Sequence, residues 1–448
     1  MALPNVEITQ LNGQLGTLPP NEDGIAGLIV LTKANDTAFT NANITKATAI
    51  LLRSVEDALP DAEDPTSIDI NSLSPHAFLH ISDFYNQAPI NAELYVTFIQ
   101  GAESTNDDPT NGDDTKVNSI SEALSFVDLA SSPPSTIDYA AQFIDQTQGQ
   151  VKLIGVVSEL TGSDTDIAKT TDNQLITAID TAATIVSTQQ AQHARYVSFL
   201  IEGITSETNA ATLTANLPDL RTRIANRVSV VIGAEPAKFR QVSILSSPPA
   251  SPPITESVAH SALGLVLGKL AASPVQRNLG RVKDGAIIST GGGLSNGQSY
   301  TSYRNSFYNT LDDYHYIFFR KHLDLNGFYL NNDHTAVQDT DDYAHISSGR
   351  TIDKASRIAK RVYTHELLDE IDLNDDGTMR PSVIAYFQAT LQNSIAAEMF
   401  NEISNVIVFA DPTQNVAQTN EIKVTMNITR KGYAEQIAVT IGFTAPGA

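Results

Sequence analysis

The sequence predicts a mixed α/β protein, and three observations carry that prediction. Apolar runs are short and recur between segments of helical spacing: GIAGLIVL from Gly24 to Leu31, VKLIGVVSEL from Val151, RYVSFLIEG, and VSVVIGAE. Helices that feed apolar strands imply crossover connections, hence a largely parallel or mixed sheet. The C-terminal segment alternates apolar and polar residues with period two, which is strand and not helix periodicity.

In chain order, residues 1–20 alternate weakly, with Val6 and Ile8 on one side, and run into Pro19 and Pro20, so they read as an extended arm before a turn. Gly24 to Leu31 is continuous and apolar, as suits a strand covered on both faces. Ile44, Ala47, Ile50, Leu51 and Val55 have helical spacing, so a helix is expected over 43–58. His76 to Gln87 is a second helix and Glu93 to Gln100 a strand, followed by the polar loop ESTNDDPTNGDDTK. VNSISEALSFVDLA reads as helix, as do 173–194 and LPDLRTRIANR. SSPPASPPITE, with four prolines, is a semi-rigid connection, after which SVAHSALGLVLGKLAA is an amphipathic helix. Two strands are expected around Asn326 and Gly327. Two helical segments follow, GRTIDKASRIAKRVYTHELLDEI and PSVIAYFQATLQNSIAAEMFNEI. In the last stretch Ile422, Val424, Met426 and Ile428 share one face of a strand, and Ile437, Val439, Ile441 and Phe443 share a face of another.

A chain of 448 residues is long for one core, and at about 150 residues per domain it suggests two or three. Twenty-eight basic against 51 acidic residues give a formal net charge of -23, which repels a phosphate backbone or an anionic lipid surface. Neither nucleic acid nor a membrane surface is expected as a partner. The absence of cysteine removes disulfides, thiolate metal sites and a thiol nucleophile. The opening MALPNVEITQLNGQ has no basic region followed by an apolar one, so no secretory signal is read there, and no run approaches the roughly 20 apolar residues of a membrane span.

Motifs that carry chemistry are incomplete. His76 and His80 have the i, i+4 spacing of two metal ligands on a helix, but Ala77 stands where a zinc helix has Glu. Asp372, Asn374, Asp376 and Gly377 match the start of a calcium loop, yet Arg380 and Val383 fill its ninth and twelfth positions, so a polar turn is expected. GGGLSNG lacks the Lys and Ser/Thr of a phosphate loop, and no G-x-S-x-G elbow occurs. DTDDYAHISSG reads as a solvated acidic loop. No catalytic residue, cofactor or metal follows from these patterns, and an enzyme is not expected. The terminal strands either complete the sheet of their own domain or are donated to a neighbour's sheet edge.

The stretch EIKVTMNITRKGYAEQIAVTIGFTAPG resembles the C-terminus of phage tail sheath proteins: a strand, a connection containing Gly432 and Tyr433, and a last strand ending on Ile441, Gly442 and Phe443. GIAGLIVLTK is similar to the first core strand of that family. The order GFYLNNDHTA, ISSGRTIDKASRIAKRVYTHELL, DLNDDGTMRPSVIAYFQATLQNSIAAEM is similar to its C-terminal region. The likeness extends over about residues 300–448 and 1–35. It implies a sheath-type core domain built from both chain ends, an inserted outer α/β domain and extended terminal β arms. On that resemblance residues 1–20 form an N-terminal arm, 21–100 and 256–420 the core, 101–255 the inserted domain and 421–448 a C-terminal strand arm.

The same resemblance implies a structural subunit of a contractile tail sheath that polymerises helically around an inner tube and contracts to drive the tube through a target envelope. Its partners are then further copies of itself, an inner tube protein, and baseplate and terminal cap proteins. Assembly takes place in the bacterial cytoplasm, and the product is a phage tail or contractile injection particle. Val6, Ile8, Ile422, Val424, Met426, Ile428, Gly432, Tyr433, Ile437, Val439, Ile441 and Phe443 are the inter-subunit arm residues. A helix over 381–403 faces the tube, with Glu398 and Glu402 one turn apart. The alternatives are an α/β hydrolase-like enzyme, which needs a nucleophile or acid–base constellation, and a cell-surface binding module, which needs a secretion signal.

Overall fold

The structure is a computed structural model that describes residues 22–101 apart from 62 and 65, then 119–128, 135–159, 174–236 apart from 206, 240–244, 254–258, 260–435 and 437–443. Val6 and Ile8 lie outside these residues. The chain divides into two compact units between Arg350 and Thr351.

The first unit is organised by a seven-stranded sheet. Its members are β1 (Ala26–Thr32), β2 (Ile50–Leu52), β3 (Leu94–Gln100), β4 (Leu153–Ser158), β5 (Ser198–Glu202), β6 (Val228–Val231) and β7 (Tyr316–Ile317), in the spatial order β7-β6-β5-β4-β1-β3-β2. All neighbours are parallel except β2, which runs antiparallel to β3 at the edge. The mixed α/β class predicted from alternating helices and strands is therefore the one observed. Strands from 26–100, from 153–231 and from 316–317 share this one sheet.

Seven consecutive residues of β1 are buried, because successive side chains enter opposite layers. Ile29 and Leu31 pack with Phe143, Ile179 and Phe199 on one face. Leu28 and Val30 pack with Ile81, Phe84, Leu263 and Leu267 on the other. Each such aliphatic side chain contributes about 1.5–3 kcal/mol on full burial, so β1 alone anchors both layers.

On the second face lie helices α1 (Pro75–Gln87) and α3 (Leu263–Ala272); α2 (Gln174–His193) covers the first. Helix α1 starts sharply because the Ser74 hydroxyl caps the Ala77 N–H and Pro75 sits in the first turn. Helix α3 is not the amphipathic helix expected from its sequence: Leu263, Gly264, Leu265, Val266, Leu267, Gly268, Leu270 and Ala271 are all buried. It is wrapped by protein because Gly264 and Gly268 let its backbone touch α1. A Cβ at Gly264 would overlap the carbonyl of His80, and one at Gly268 that of Phe84.

Three further expectations change. The helix over 43–58 does not form: Asn43 and Ala47 both have positive φ, and Ile50–Leu52 pair with β3 as an edge strand. VNSISEALSFVDLA divides into a helix at Ile120–Leu124 and a strand at Phe126–Asp128. The aromatic region contributes helix α4 (Asn305–Asp313) before β7, which its sequence did not signal.

The second unit contains most of helix α5 (Ile346–Thr364), helix α6 (Pro381–Glu398) and an antiparallel hairpin of β8 (Ile403–Ala410) and β9 (Val424–Arg430). Its core joins Ala355 and Ile358 of α5, Leu391 and Ile395 of α6, and Val406 and Val408 of β8.

The glycine contact yields a test. Gly264→Ala would gain about 1 kcal/mol of helix propensity, but the new methyl meets backbone, which cannot rotate away, and overpacking costs roughly 1–3 kcal/mol. Net destabilisation is expected as a lower urea midpoint; an unchanged or raised midpoint would show that α1 and α3 have room to separate.

Candidate functional site

In open parallel sheets, ligands bind outside the carboxyl ends of the strands where the chain reverses its direction of travel across the sheet. Here that point lies between β1 and β4, since the chain runs from β1 to one side through β2 and β3 and then to the other through β4 to β7. Two acidic residues occupy this edge, Glu159 directly after β4 and Glu202 as the last residue of β5.

Glu159 is buried, and its carboxylate accepts from the Thr32 hydroxyl (2.6 Å), the Lys33 N–H (3.2 Å) and the Ser74 hydroxyl (2.5 Å). The helix-capping serine of α1 thus also fastens the end of β4. Glu202 is fully buried beside the rings of His76 and His80, with His76 Nε2 at 3.1 Å and His80 Nε2 at 3.4 Å. The Ser261 N–H donates to it at 2.8 Å and the Ser158 N–H at 3.4 Å. Burial alone would raise its pKa, but the His76 charge and the donors from both rings outweigh this and hold the carboxyl well below the usual range.

The i, i+4 histidine pair therefore has the acidic partner that its own helix lacks. One nitrogen of each ring and a Glu202 oxygen lie within 4.8 Å of one another, a plausible spacing for three ligands of one ion. The hydrogen bonding of His80 disfavours a metal at its Nε2. The Gly264 N–H points at His80 Nδ1 (3.3 Å), so that nitrogen carries the lone pair and Nε2 carries the proton that faces Glu202. A metal at Nε2 would require the reverse tautomer, with Nδ1–H directed at an N–H donor, whereas ligating histidines donate their second nitrogen to an acceptor. The cluster fits a metal-free network of donors around one carboxylate.

A carboxylate held ionised by several donors is the opposite of a general acid, and its lone pairs are already engaged. What this edge does is fasten β1, β4, β5, α1 and the start of α3 together. Sequence reasoning missed both acids, since their side-chain and backbone partners lie 44 to 127 residues away. The available signal was that LIGVVSE and SFLIE each end an apolar run on Glu.

The calcium-like loop closes as a hairpin turn. Asn374 Nδ2 donates to Thr378 Oγ1 and to the Met379 carbonyl, while the Asp376 carboxylate accepts from the Thr378 N–H and hydroxyl. Gly377 at φ 83 permits the reversal.

The residues expected in the C-terminal arm fall into two groups. Val424, Met426 and Ile428 lie on β9, facing the core of the second unit opposite Ala410, Val408 and Val406 of β8. Ile422 precedes that strand and is half-buried. Beyond Gly432 and Tyr433, the side chains of Ile437, Val439, Ile441 and Phe443 are 80%, 72%, 88% and 109% exposed, in a segment with no strand pairing among the described residues. Helix α6 stops at Glu398, so Glu402 stands beyond it and not on it. Glu398 pairs with Arg361, and the mostly buried Glu402 pairs with Lys354 at 2.8 Å.

Family models described as the DUF2586 N-terminal domain and the DUF2586 C-terminal domain match residues 3–334 and 342–448. The chain belongs to the DUF2586 family. The junction of its two matched domains lies close to the division between the two compact units. No curated protein matches the chain. Among solved structures, a chain in the cryo-EM structure of the anti-feeding prophage baseplate, 6-fold symmetrised, aligns over 99% of this DUF2586 chain and 100% of its own, with a TM-score of 0.53 and 13% sequence identity. That likeness is one of fold. No helix among the described residues is long and apolar enough to cross a membrane.

The Glu202 network gives a pH prediction. A carboxyl whose folded pKa is depressed adds stability that is present above its unfolded value and is lost as pH falls through the folded one. Glu202→Gln is expected to cost roughly 3–5 kcal/mol near pH 7, as for a broken buried pair, and progressively less in acid. Denaturation midpoints of both proteins across pH 3–7 check this; a constant gap would remove the ionised carboxylate from the account. Added zinc should leave the wild-type midpoint unchanged.

Proposed function

We propose that this DUF2586 protein is a structural subunit of a contractile injection particle, of the sheath type, which polymerises around an inner tube by exchanging its C-terminal strand. The observation that carries the proposal is the row of exposed apolar side chains at Ile437, Val439, Ile441 and Phe443, next in sequence to a two-stranded sheet. Period-two apolar exposure is what a strand has before it is paired, and a two-stranded sheet has unpaired strand edges to offer.

In this reading β8 and β9 form the receiving hairpin of each copy, and residues 437–443 are the donated strand. A paired strand of that length makes about four to six backbone hydrogen bonds, each worth roughly 1 kcal/mol net, and its covered apolar residues add a few kcal/mol. Such a joint survives large rigid-body movement of the units it connects, which is the demand that contraction makes. Residues 1–20 are proposed as the second arm. The full-length fold likeness to a chain of the anti-feeding prophage baseplate supports membership of such a particle, and the resemblance of residues 300–448 to tail sheath proteins supports the sheath role.

The further partners in this reading are a tube protein and baseplate and terminal cap proteins, with assembly in the bacterial cytoplasm. Because Glu398 and Glu402 are already engaged by Arg361 and Lys354, any contribution of theirs to tube contact competes with those pairs.

Deletion of residues 431–448 is expected to leave both units folded, with an unchanged denaturation midpoint, and to abolish tubes or rings in negative-stain microscopy after mixing with the tube protein. Normal tubes from the truncated chain would overturn strand exchange. Charge reversal at Glu398 and Glu402 together is expected to lower the stability of the second unit as well as tube co-assembly; co-assembly at wild-type level would remove α6 from the tube interface.

A further inference from the structure

The reactivity of an asparagine depends on the residue that follows it. The sequence holds Asn–Gly pairs at 12–13, 111–112, 296–297 and 326–327, and the last two lie among the described residues. Before glycine, no side chain shields the next amide nitrogen from the asparagine carboxamide. Asn296 and Asn326 share this chemistry and sit in opposite surroundings.

Asn296 is half-buried and fastened at every polar atom of its side chain. Its Nδ2 donates to the Glu207 carbonyl (2.8 Å) and the Tyr303 hydroxyl (2.6 Å), and its Oδ1 accepts the Gln298 N–H (3.1 Å). The nitrogen that would attack it is also engaged, since the Gly297 N–H donates to the Leu294 carbonyl at 2.9 Å.

Asn326 and Gly327 are exposed at the tip of a hairpin whose ladder pairs Phe319 with Leu330 and Arg320 with Tyr329. Among the described residues, neither the Asn326 side chain nor the Gly327 N–H has a hydrogen-bond partner. The pair is touched instead at the Asn326 main-chain carbonyl, which accepts the Tyr329 hydroxyl at 3.5 Å. A donor there draws electron density from the Asn326–Gly327 amide and eases loss of its proton. The fold itself calls for the glycine: Gly327 has φ 85, and a Cβ on it would lie 2.5 Å from the Ala286 methyl carbon.

We propose that Asn326 is a site of spontaneous deamidation and that the fold protects Asn296 from the same reaction. The Gly327 nitrogen, having lost its proton, attacks Asn326 Cγ. The N–Cγ bond forms, the Cγ–Nδ2 bond breaks, and the amide nitrogen leaves as ammonia, closing a succinimide ring. Water then opens the ring at either carbonyl. Breaking the bond to Cγ gives Asp at 326, and breaking the bond to the main-chain carbonyl carbon gives isoaspartate. No oxidant or reductant takes part. Either product adds a negative charge, and isoaspartate also lengthens the chain by one backbone carbon just before Phe328, whose carbonyl accepts the Ile287 N–H at 2.8 Å.

This site is independent of the assembly reading. The test ages the full-length chain in mildly alkaline buffer, folded and in concentrated urea, and follows both asparagines by tryptic peptide mapping. They fall on different peptides, 284–304 and 322–350. In the folded chain Asn326 is expected to convert about a hundredfold faster than Asn296, because the bonds around Asn296 must open together before its ring can close. In urea the two should convert at similar rates, with Asn296 speeding up and Asn326 changing little. Equal rates in the folded chain overturn the proposal, and so does a gap that persists in urea, which would belong to local sequence and not to the fold. Both Asp and isoaspartate are expected at 326; Asp alone would mean direct hydrolysis and would overturn ring closure by Gly327.

Discussion

The first unit depends on how two buried carboxylates are satisfied. Parallel strands end together at one edge, and a sheet buried on both faces has to close that edge without leaving polar atoms stranded. Glu159 and Glu202 do so by gathering donors from β1, α1, the residue after β4's partner strand and the loop before α3. Removing one partner from such a group is costly, because the ion left behind has no water to turn to. The same place in a doubly wound enzyme is where a ligand is received. In this chain its own side chains converge there and occupy the edge.

The sequence made some of this architecture readable and concealed the rest for identifiable reasons. Gly24 to Leu31 was legible because a strand buried on both faces has no polar positions to confuse the pattern. Residues 43–58 misled because Ile44, Ala47, Ile50, Leu51 and Val55 satisfy helical spacing, while the decisive facts are left-handed backbone at Asn43 and Ala47 and a free place beside β3. Helix α3 was legible as a helix but not in its surroundings, since period alone does not report that two glycines seat it against α1. Strand β8 went unread because Ile407 and Phe409 face outward, which blurs its alternation into a general apolar run.

The candidate site was less legible than the fold. His76 and His80 announced themselves by spacing, yet their meaning rests on Glu202, 126 residues from His76, and on which nitrogen of His80 the Gly264 N–H occupies. Spacing finds ligands on one helix and is blind to contributions from another strand. At the chain end the period-two pattern was plain, but pattern does not distinguish a strand paired within its own molecule from one that is not. The structure separates them: Val424, Met426 and Ile428 face their own core, and Ile437, Val439, Ile441 and Phe443 face solvent.

That exposed row has a colloidal consequence. Uncovered alternating apolar residues at a chain terminus are an aggregation hazard in any isolated molecule. Here each molecule also carries a formal charge of -23, so copies meeting at random repel one another before short-range contacts form. At physiological ionic strength this repulsion reaches only about 8 Å, so it resists loose encounters more than a fitted one. Salt therefore acts on these molecules in the sense opposite to that for a nucleic-acid binder, by promoting their association.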